Sequence, residues 1–248
     1  MGEHRDASWG AEQQALARQL VTAASLVLVD FDGPLARLLP GDRWLEVSAQ
    51  VRARAGELGG PELEAALHGE PDHVQCLRRV HELAPDVVSS LAEEVTRLEL
   101  EAAMQVGPGE RAVDFLVQCL DRGTAVVVVT NNDPEVVPVV LDPSRPGLST
   151  RLHRVLGRAH DRLGDLKPSP AMLLDALQLT GARPQDAVFL GDSVTDVEAG
   201  RAAGVIVVGV AEEAERRTEL VAAGALAAVP DVGHLLRSAE AGGTILRG

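Results

Sequence analysis

Tyrosine is missing from this 248-residue chain, three Phe and two Trp make up all of its aromatic side chains, and among its 23 basic residues only Lys167 is a lysine. Cysteine is nearly as scarce. Cys76 and Cys119 are too few for a disulfide framework and lack the paired spacing of a zinc site, so two packed thiols in a reducing compartment are expected. Long apolar runs are lacking too. The longest stretches without a charged side chain, residues 19–29 and 220–230, fall well short of the ~20 apolar residues of a spanning helix, so no membrane partner is expected. Residues 1–18 are polar and mixed in charge, without the basic segment and apolar run of a secretory leader, which makes the cytoplasm the expected location.

Positive charge is in deficit. The 37 acidic residues outnumber the 23 basic ones and leave a formal net charge of −14. That balance argues against a nucleic-acid partner, whose phosphates require Lys and Arg to replace their counterions. It does not exclude a small phosphorylated substrate, because a buried metal ion and one cation set the local potential whatever the global sum. A hydrophobic fraction of 46% with 24% charged residues excludes wholesale disorder, collagen-like repeats and disulfide scaffolds. The length suits one large domain, or one domain carrying a smaller insert.

Four short β-branched runs are present, at residues 26–29, 126–129, 187–190 and 205–210, each followed by polar residues or glycine. Continuous rather than alternating apolar character marks strands covered by helices on both faces. Helical stripes lie between the later runs: Val113, Leu116, Val117 and Leu120, then Leu173, Leu174 and Leu177 within 170–179. Alternating strands and helices predict an open α/β sheet, with ligands beyond the carboxyl ends of its strands at a switch point.

The first and second runs are separated by a long gap. There Leu91, Val95, Leu98 and Ala102 recur at helical spacing, broken elsewhere by Gly59-Gly60-Pro61 and Ala84-Pro85. A helical insert over residues 43–105 is expected, dividing a core made of 1–42 and 106–248, with Val106-Gly107-Pro108-Gly109 as the return hinge. Within it Arg52, Arg54, Arg78, Arg79, His68, His73 and His81 are candidates to face the active site, with a solvated helix face as the commoner placement for such residues.

Three of the strand ends carry chemistry-bearing residues: Asp30-Phe31-Asp32-Gly33, Thr130-Asn131-Asn132 and Gly191-Asp192-Ser193-Val194-Thr195-Asp196; a fourth element, Lys167-Pro168, opens a helix. A lone Asp in such a place reads as a cap or turn former. Together, in this order, the four resemble the motifs of the haloacid dehalogenase-like hydrolase superfamily. Over 167–204 the chain is similar to its phosphoglycolate phosphatase and phosphoglucomutase branch.

The resemblance implies a Rossmann-like open parallel sheet core with an inserted helical cap domain, and a Mg²⁺-dependent phosphatase working through an aspartyl-phosphate. It places Asp30 as nucleophile, Asp32 as acid/base, Thr130 and Lys167 as phosphate-binding catalytic residues, and Asp192 with Asp196 on the fourth motif. The implied metal ligands are the Asp30 and Asp192 carboxylates with the Asp32 carbonyl, Asp196 being a supporting residue that orients Lys167 or a metal-bound water. Asn131 is a further candidate for contact with substrate or phosphate. Where relatives have Thr or Val, Pro34 follows Gly33, and a stiffened turn is expected.

These residue types suit the chemistry. A carboxylate with a pKa of about 4 is ionised at neutral pH and can attack phosphorus once its repulsion from the phosphate is offset. Two carboxylates and a carbonyl form the sparse hard-oxygen set that Mg²⁺ accepts, and an ammonium, a hydroxyl and main-chain amides stabilise a loose phosphoryl transition state. A phosphomutase acting on a sugar phosphate, or a binding module that kept the fold and lost turnover, would share much of this pattern.

Overall fold

The structure is a computed structural model and describes residues 2–236. It opens with α1 (Gly2–Ala23) and β1 (Leu26–Val29). Four helices follow before the next strand of the sheet is approached: α2 (Arg43–Gly59), α3 (Pro61–Ala66), α4 (His73–Leu83) and α5 (Val88–Ala103). The chain then passes through α6 (Ala112–Asp121), β2 (Ala125–Val129), α7 (Val136–Leu141), α8 (Leu148–Arg151) and β3 (Arg154–Leu156). It ends in α9 (Ala171–Thr180), β4 (Ala187–Gly191), α10 (Val194–Ala202), β5 (Ile206–Val210), α11 (Ala214–Ala223) and β6 (Ala227–Val229).

The described strands form one parallel sheet in the order β3-β2-β1-β4-β5-β6. Val29 at the end of β1 pairs with Val128 on one side and Leu190 on the other. The order reverses between β1 and β4, which opens a crevice at their carboxyl ends. This is the open α/β sheet that the four apolar runs predict, and it matches the Rossmann-like core that the resemblance implies.

Side chains alternate across the sheet with period two, yet both faces are apolar. Leu26, Leu28, Val127, Val129 and Phe189 join one buried cluster with α9, α10 and the helices of the insert. Val27, Val29, Val126, Val128, Val188 and Leu190 join the other, beneath α1 and α6. Each fully buried Leu or Val contributes about 1.5–3 kcal/mol, which explains runs without polar interruption. Continuity of the first cluster into Val51, Leu77, Leu91 and Val95 ties the inserted helices to the sheet.

Four details differ from the sequence expectation. β3 and β6 are strands of three residues that no apolar run announced, and β5 begins at Ile206. On α6 the buried stripe is Ala112, Phe115, Leu116 and Cys119, one residue around the helix from the expected one, since Phe115 supplies the largest apolar side chain. Leu174 on α9 is exposed, and Leu173 and Leu177 face the core. On α5, Leu91, Val95, Leu98 and Ala102 are buried as their spacing predicts. Among the described residues no helix is long and apolar enough to cross a membrane.

Candidate active site

The cleft at the crevice measures about 1270 Å³, and Asp30, Asp32, Asn131, Lys167, Asp192 and His73 are among its lining residues. Sheet geometry puts them there. Asp30 follows β1 directly and its amide donates to the Leu190 carbonyl at 2.8 Å, continuing the pairing one residue past the strand. The chain then folds back in a tight turn, with Leu35 and Ala36 amides donating to the Phe31 carbonyl and the Gly33 amide to the Ala36 carbonyl. Pro34 is buried in this turn, none of whose bonds requires the amide donor that proline lacks. Asp32 Oδ1 accepts the Leu38 amide at 2.8 Å.

Gly33 is where the loops after β1 and β4 touch. Its φ is +106°, and a Cβ there would lie 2.3 Å from Asp192 Oδ2. Only glycine allows this backbone and this approach.

Lys167 is buried to 2% exposure. Its ammonium lies 2.8 Å from Asp30 Oδ1 and 2.7 Å from Asp196 Oδ1, donates to the Val129 carbonyl at 3.2 Å, and sits 5.6 Å above the centre of the Phe189 ring. Burial pulls the pKa of this amine down, but Asp196 and Asp30 outweigh it and leave it firmly charged. The main chain is held as firmly as the side chain. Asn131 Oδ1 accepts the Lys167 amide at 2.8 Å and Asn131 Nδ2 donates to the Lys167 carbonyl at 3.1 Å. Arg78 Nη2, from α4, donates to the carbonyls of Leu166 at 2.5 Å and Lys167 at 2.9 Å. Arg78 is therefore half-buried and engaged, not part of a solvated face.

Asp196 has both oxygens in use. Oδ2 accepts the amides of Asp192 and Ser193 and the Ser193 hydroxyl, and Ser193 Oγ accepts the Asp196 amide in return. This capping box starts α10 and, through Oδ1, fixes the lysine. Thr130 lies beneath the cleft floor, fully buried, with its hydroxyl donating to Asn132 Oδ1 at 3.1 Å.

Carboxylate oxygens of Asp30, Asp192 and Asp196 lie within 4.8 Å of one another, and among the described residues Lys167 is the one cation paired with the Asp30 and Asp196 carboxylates. Desolvation is the main reason the Asp30 carboxyl is pushed well above its ordinary range, with Asp196 and Asp192 adding to it and Lys167 opposing. Asp192 is raised for the same cause, with Asp196 and Asp32 as its like-charged neighbours. Crowded hard-oxygen donors with excess negative charge fit a divalent cation. Because Asp196 is committed to Lys167 and Ser193, Asp30 and Asp192 are the carboxylates available to hold it. Asp32 is also raised, by burial first, against the Leu38 hydrogen bond.

A second polar cluster adjoins the first, and the sequence expectations omitted it. Glu99 of α5, fully buried, accepts Arg158 Nη1 at 2.8 Å on Oε1 and Arg158 Nη2 at 2.7 Å on Oε2. It also accepts Asn132 Nδ2, the Asp133 amide and His73 Nε2, the last at 3.0 Å. Burial raises the pKa of such a carboxyl, but Arg158 and His73 overcome it and hold Glu99 far below the carboxylate range. His73 is thus buried against Glu99 at the cleft, the less common of the two placements expected for it. One signal was in the sequence: Glu99 falls on the apolar stripe of α5, four residues after Val95 and next to Leu98. Nothing comparable marks Arg158.

The sequence profile of the haloacid dehalogenase-like hydrolases matches residues 24–204. A phosphoglycolate phosphatase of Pseudomonas putida is 35% identical over 76% of this chain and 70% of its own length. Phosphoglycolate phosphatase 1 of Pseudomonas aeruginosa is 30% identical over 75% of this chain and 61% of its own. Among solved structures, CbbY from Rhodobacter sphaeroides in complex with xylulose-(1,5)-bisphosphate superposes with a TM-score of 0.61 at 17% identity, over 84% of this chain and 95% of that one. A haloacid dehalogenase-like family protein from Streptococcus pneumoniae gives 0.59 at 14%, over 86% and 97%. At such identities the structural likeness speaks for the fold.

Proposed function

The chain belongs to the haloacid dehalogenase-like hydrolases, and from that premise we propose that it hydrolyses a small phosphorylated metabolite through an aspartyl-phosphate formed on Asp30. The observation that carries this is the Lys167 ammonium, set between Asp30 and Asp196 at the wall of the cleft that Asp32 also lines. Nucleophile, acid/base and a compact cation share one site.

The Asp30 and Asp192 carboxylates with the Asp32 carbonyl would hold Mg²⁺, which would neutralise charge between nucleophile and phosphoryl group. Asp30 attacks phosphorus as the ester P–O bond breaks. Its Oδ1 already receives Lys167 and the Phe31 amide, which keep the carboxylate oriented. Burial favours the protonated form of Asp32, and that proton passes to the departing alkoxide. Asp32, now a base, takes a proton from the water that cleaves the Asp30 acyl-phosphate. Lys167 and the Asp32 amide, the one amide of this turn that no described group takes, receive the phosphoryl oxygens, and Thr130 joins them when its hydroxyl turns from Asn132. Asn131 and Arg78 serve by holding the Lys167 main chain in place.

Residues 43–105 act as a cap over the core formed by 1–42 and 106–248, of which residue 1 and residues 237–248 lie outside the described residues. The relatives' shared name makes 2-phosphoglycolate the first ester to assay. The cytoplasm is the proposed setting, and two buried free thiols suit its reducing conditions. Release of inorganic phosphate from a panel containing 2-phosphoglycolate and para-nitrophenyl phosphate, with Mg²⁺ present and abolished by chelation, is the expected result. No release from any ester overturns the proposal.

A further inference from the structure

Asp192 owes the position of its carboxylate to its main chain, and that main chain is gripped at both polar groups. Its amide donates to Asp196 Oδ2 at 3.1 Å, and its carbonyl accepts Arg216 Nε at 3.1 Å. The first bond belongs to the start of α10, directly after β4. The second arrives from α11, which follows the neighbouring strand β5. Among the described residues no other donor takes the Asp192 carbonyl.

Local packing brings the Arg216 side chain to this point. Leu220, one helical turn further on and hence on the same face of α11, is fully buried and seats on Gly209 of β5, where a Cβ would lie 2.9 Å from its Cδ1. Arg217 Nη1 donates to the Ala211 and Glu212 carbonyls and braces the turn that enters the helix. Glu219 Oε2, 2.6 Å from Arg216 Nη1, holds the guanidinium beyond Nε. Arg216 therefore reaches from one strand end to the next and lines the same cleft as Asp192.

The choice of acceptor is informative. The guanidinium bonds the Asp192 carbonyl and pairs with Glu219, with no described ion pair to the Asp192 carboxylate, so the carboxylate is oriented without being consumed. Arg216 Nη2 has no described partner, and a direct contact with substrate is the rival role that an experiment has to separate.

Resting on the phosphatase proposal and its Mg²⁺ site, we propose that Arg216 is a positioning residue for Asp192, and that by holding its carbonyl it sets the affinity of the site for the divalent cation. Asp196 fixes the amide side of Asp192 and Arg216 the carbonyl side. A residue held at both presents its carboxylate toward Asp30 in one place, and outer partners of this kind are worth about 10–100-fold in metal affinity.

The test measures melting temperature against Mg²⁺ concentration at one pH, which needs no turnover, for the parent, Arg216→Met and Arg216→Lys. Methionine keeps the apolar stem and loses the donor, whereas lysine keeps a charge and a donor. The Arg216 side chain is 38% exposed, so both variants are expected to fold, and their Mg²⁺-free melting temperatures check it. The Mg²⁺ concentration that gives a fixed rise in melting temperature is expected to be about tenfold higher in Arg216→Met, with Arg216→Lys between it and the parent. With 2-phosphoglycolate, the Mg²⁺ needed for half-maximal kcat should rise by the same factor, while KM for the ester at saturating Mg²⁺ stays unchanged. A parent that responds to Mg²⁺ and variants that need no more of it overturn the role of Arg216 and leave the phosphatase proposal standing. A raised KM with an unmoved Mg²⁺ response does the same, since it marks direct contact with substrate. A parent whose melting temperature ignores Mg²⁺ overturns the cation site on which both proposals rest. A Mg²⁺ response in a parent inactive on every ester overturns the phosphatase proposal alone.

Discussion

The Lys167 ammonium and the Asp196 carboxylate meet at 2.7 Å, and each is fixed from its far side: the lysine main chain by Asn131, the aspartate by the Ser193 capping box. A hydrogen-bonded helix start thus aims the chain's single lysine at Asp30. The scarcity of lysine elsewhere gives this position added meaning, since Arg fills every other basic site.

Replacement of that lysine by arginine keeps the charge and loses the fit. The ammonium occupies a 2%-exposed site over Phe189, and a planar guanidinium is larger and directs its donors in a fork. Lys167→Arg is expected to lower kcat by about 100-fold or more, the scale of losing one transition-state donor. Steady-state kinetics on a soluble, folded variant check it.

At Gly33 both backbone and neighbour forbid a side chain. Alanine would require a φ of +106° and place its Cβ 2.3 Å from Asp192 Oδ2. Gly33→Ala is expected to shift Asp192, weaken the response to Mg²⁺ and lower kcat by about tenfold or more, with a backbone-strain loss of about 1–3 kcal/mol in stability. A magnesium titration of activity, beside a denaturant curve, separates the two effects.

The Glu99–Arg158 pair governs stability rather than chemistry. Removing the carboxylate charge leaves a buried guanidinium uncompensated, so Glu99→Gln is expected to lose about 3–5 kcal/mol. The pH dependence has a definite sign. Glu99 is held far below its unfolded value of about 4.3, so its contribution is complete above that value and fades as pH falls through it toward the folded pKa. Denaturant midpoints of parent and variant should converge on acidification. A gap that widens at low pH would contradict the assignment.

Asp30 and Asp192 shift the other way. Their carboxyls are raised by burial and by repulsion from neighbouring carboxylates, Asp196 above all, so ionising them burdens the metal-free fold as pH rises from about 4 through their elevated values. A divalent cation relieves that burden and displaces their protons. The rise in melting temperature produced by Mg²⁺ should therefore be larger at about pH 8 than at about pH 5, and Asp192→Asn should remove most of the difference. Thermal-shift titrations at the two pH values decide it.

Much of this was legible in the sequence. Four strands buried on both faces needed unbroken apolar runs, and polar residues at their carboxyl ends marked the crevice. β3 and β6 escaped because three residues cannot show a period, and β3 begins with an exposed Arg154. Asp30, Asp32, Lys167, Asp192 and Asp196 were legible as motifs; the bonding that spends the Asn131 amide on Lys167 and the Thr130 hydroxyl on Asn132 was not. Glu99 resembled the other acids of α5, and its partner Arg158 lies 59 positions away, after β3. Long-range pairing of this kind leaves no local pattern.

The account stands most directly on the identity of the nucleophile. The parent enzyme, incubated with 2-phosphoglycolate and Mg²⁺, quenched in acid and digested, should yield one phosphorylated peptide whose acyl-phosphate maps to Asp30, and Asp30→Asn should yield none and lose turnover. A phosphoryl group found on another residue, or Mg²⁺-dependent turnover retained by Asp30→Asn, would contradict it.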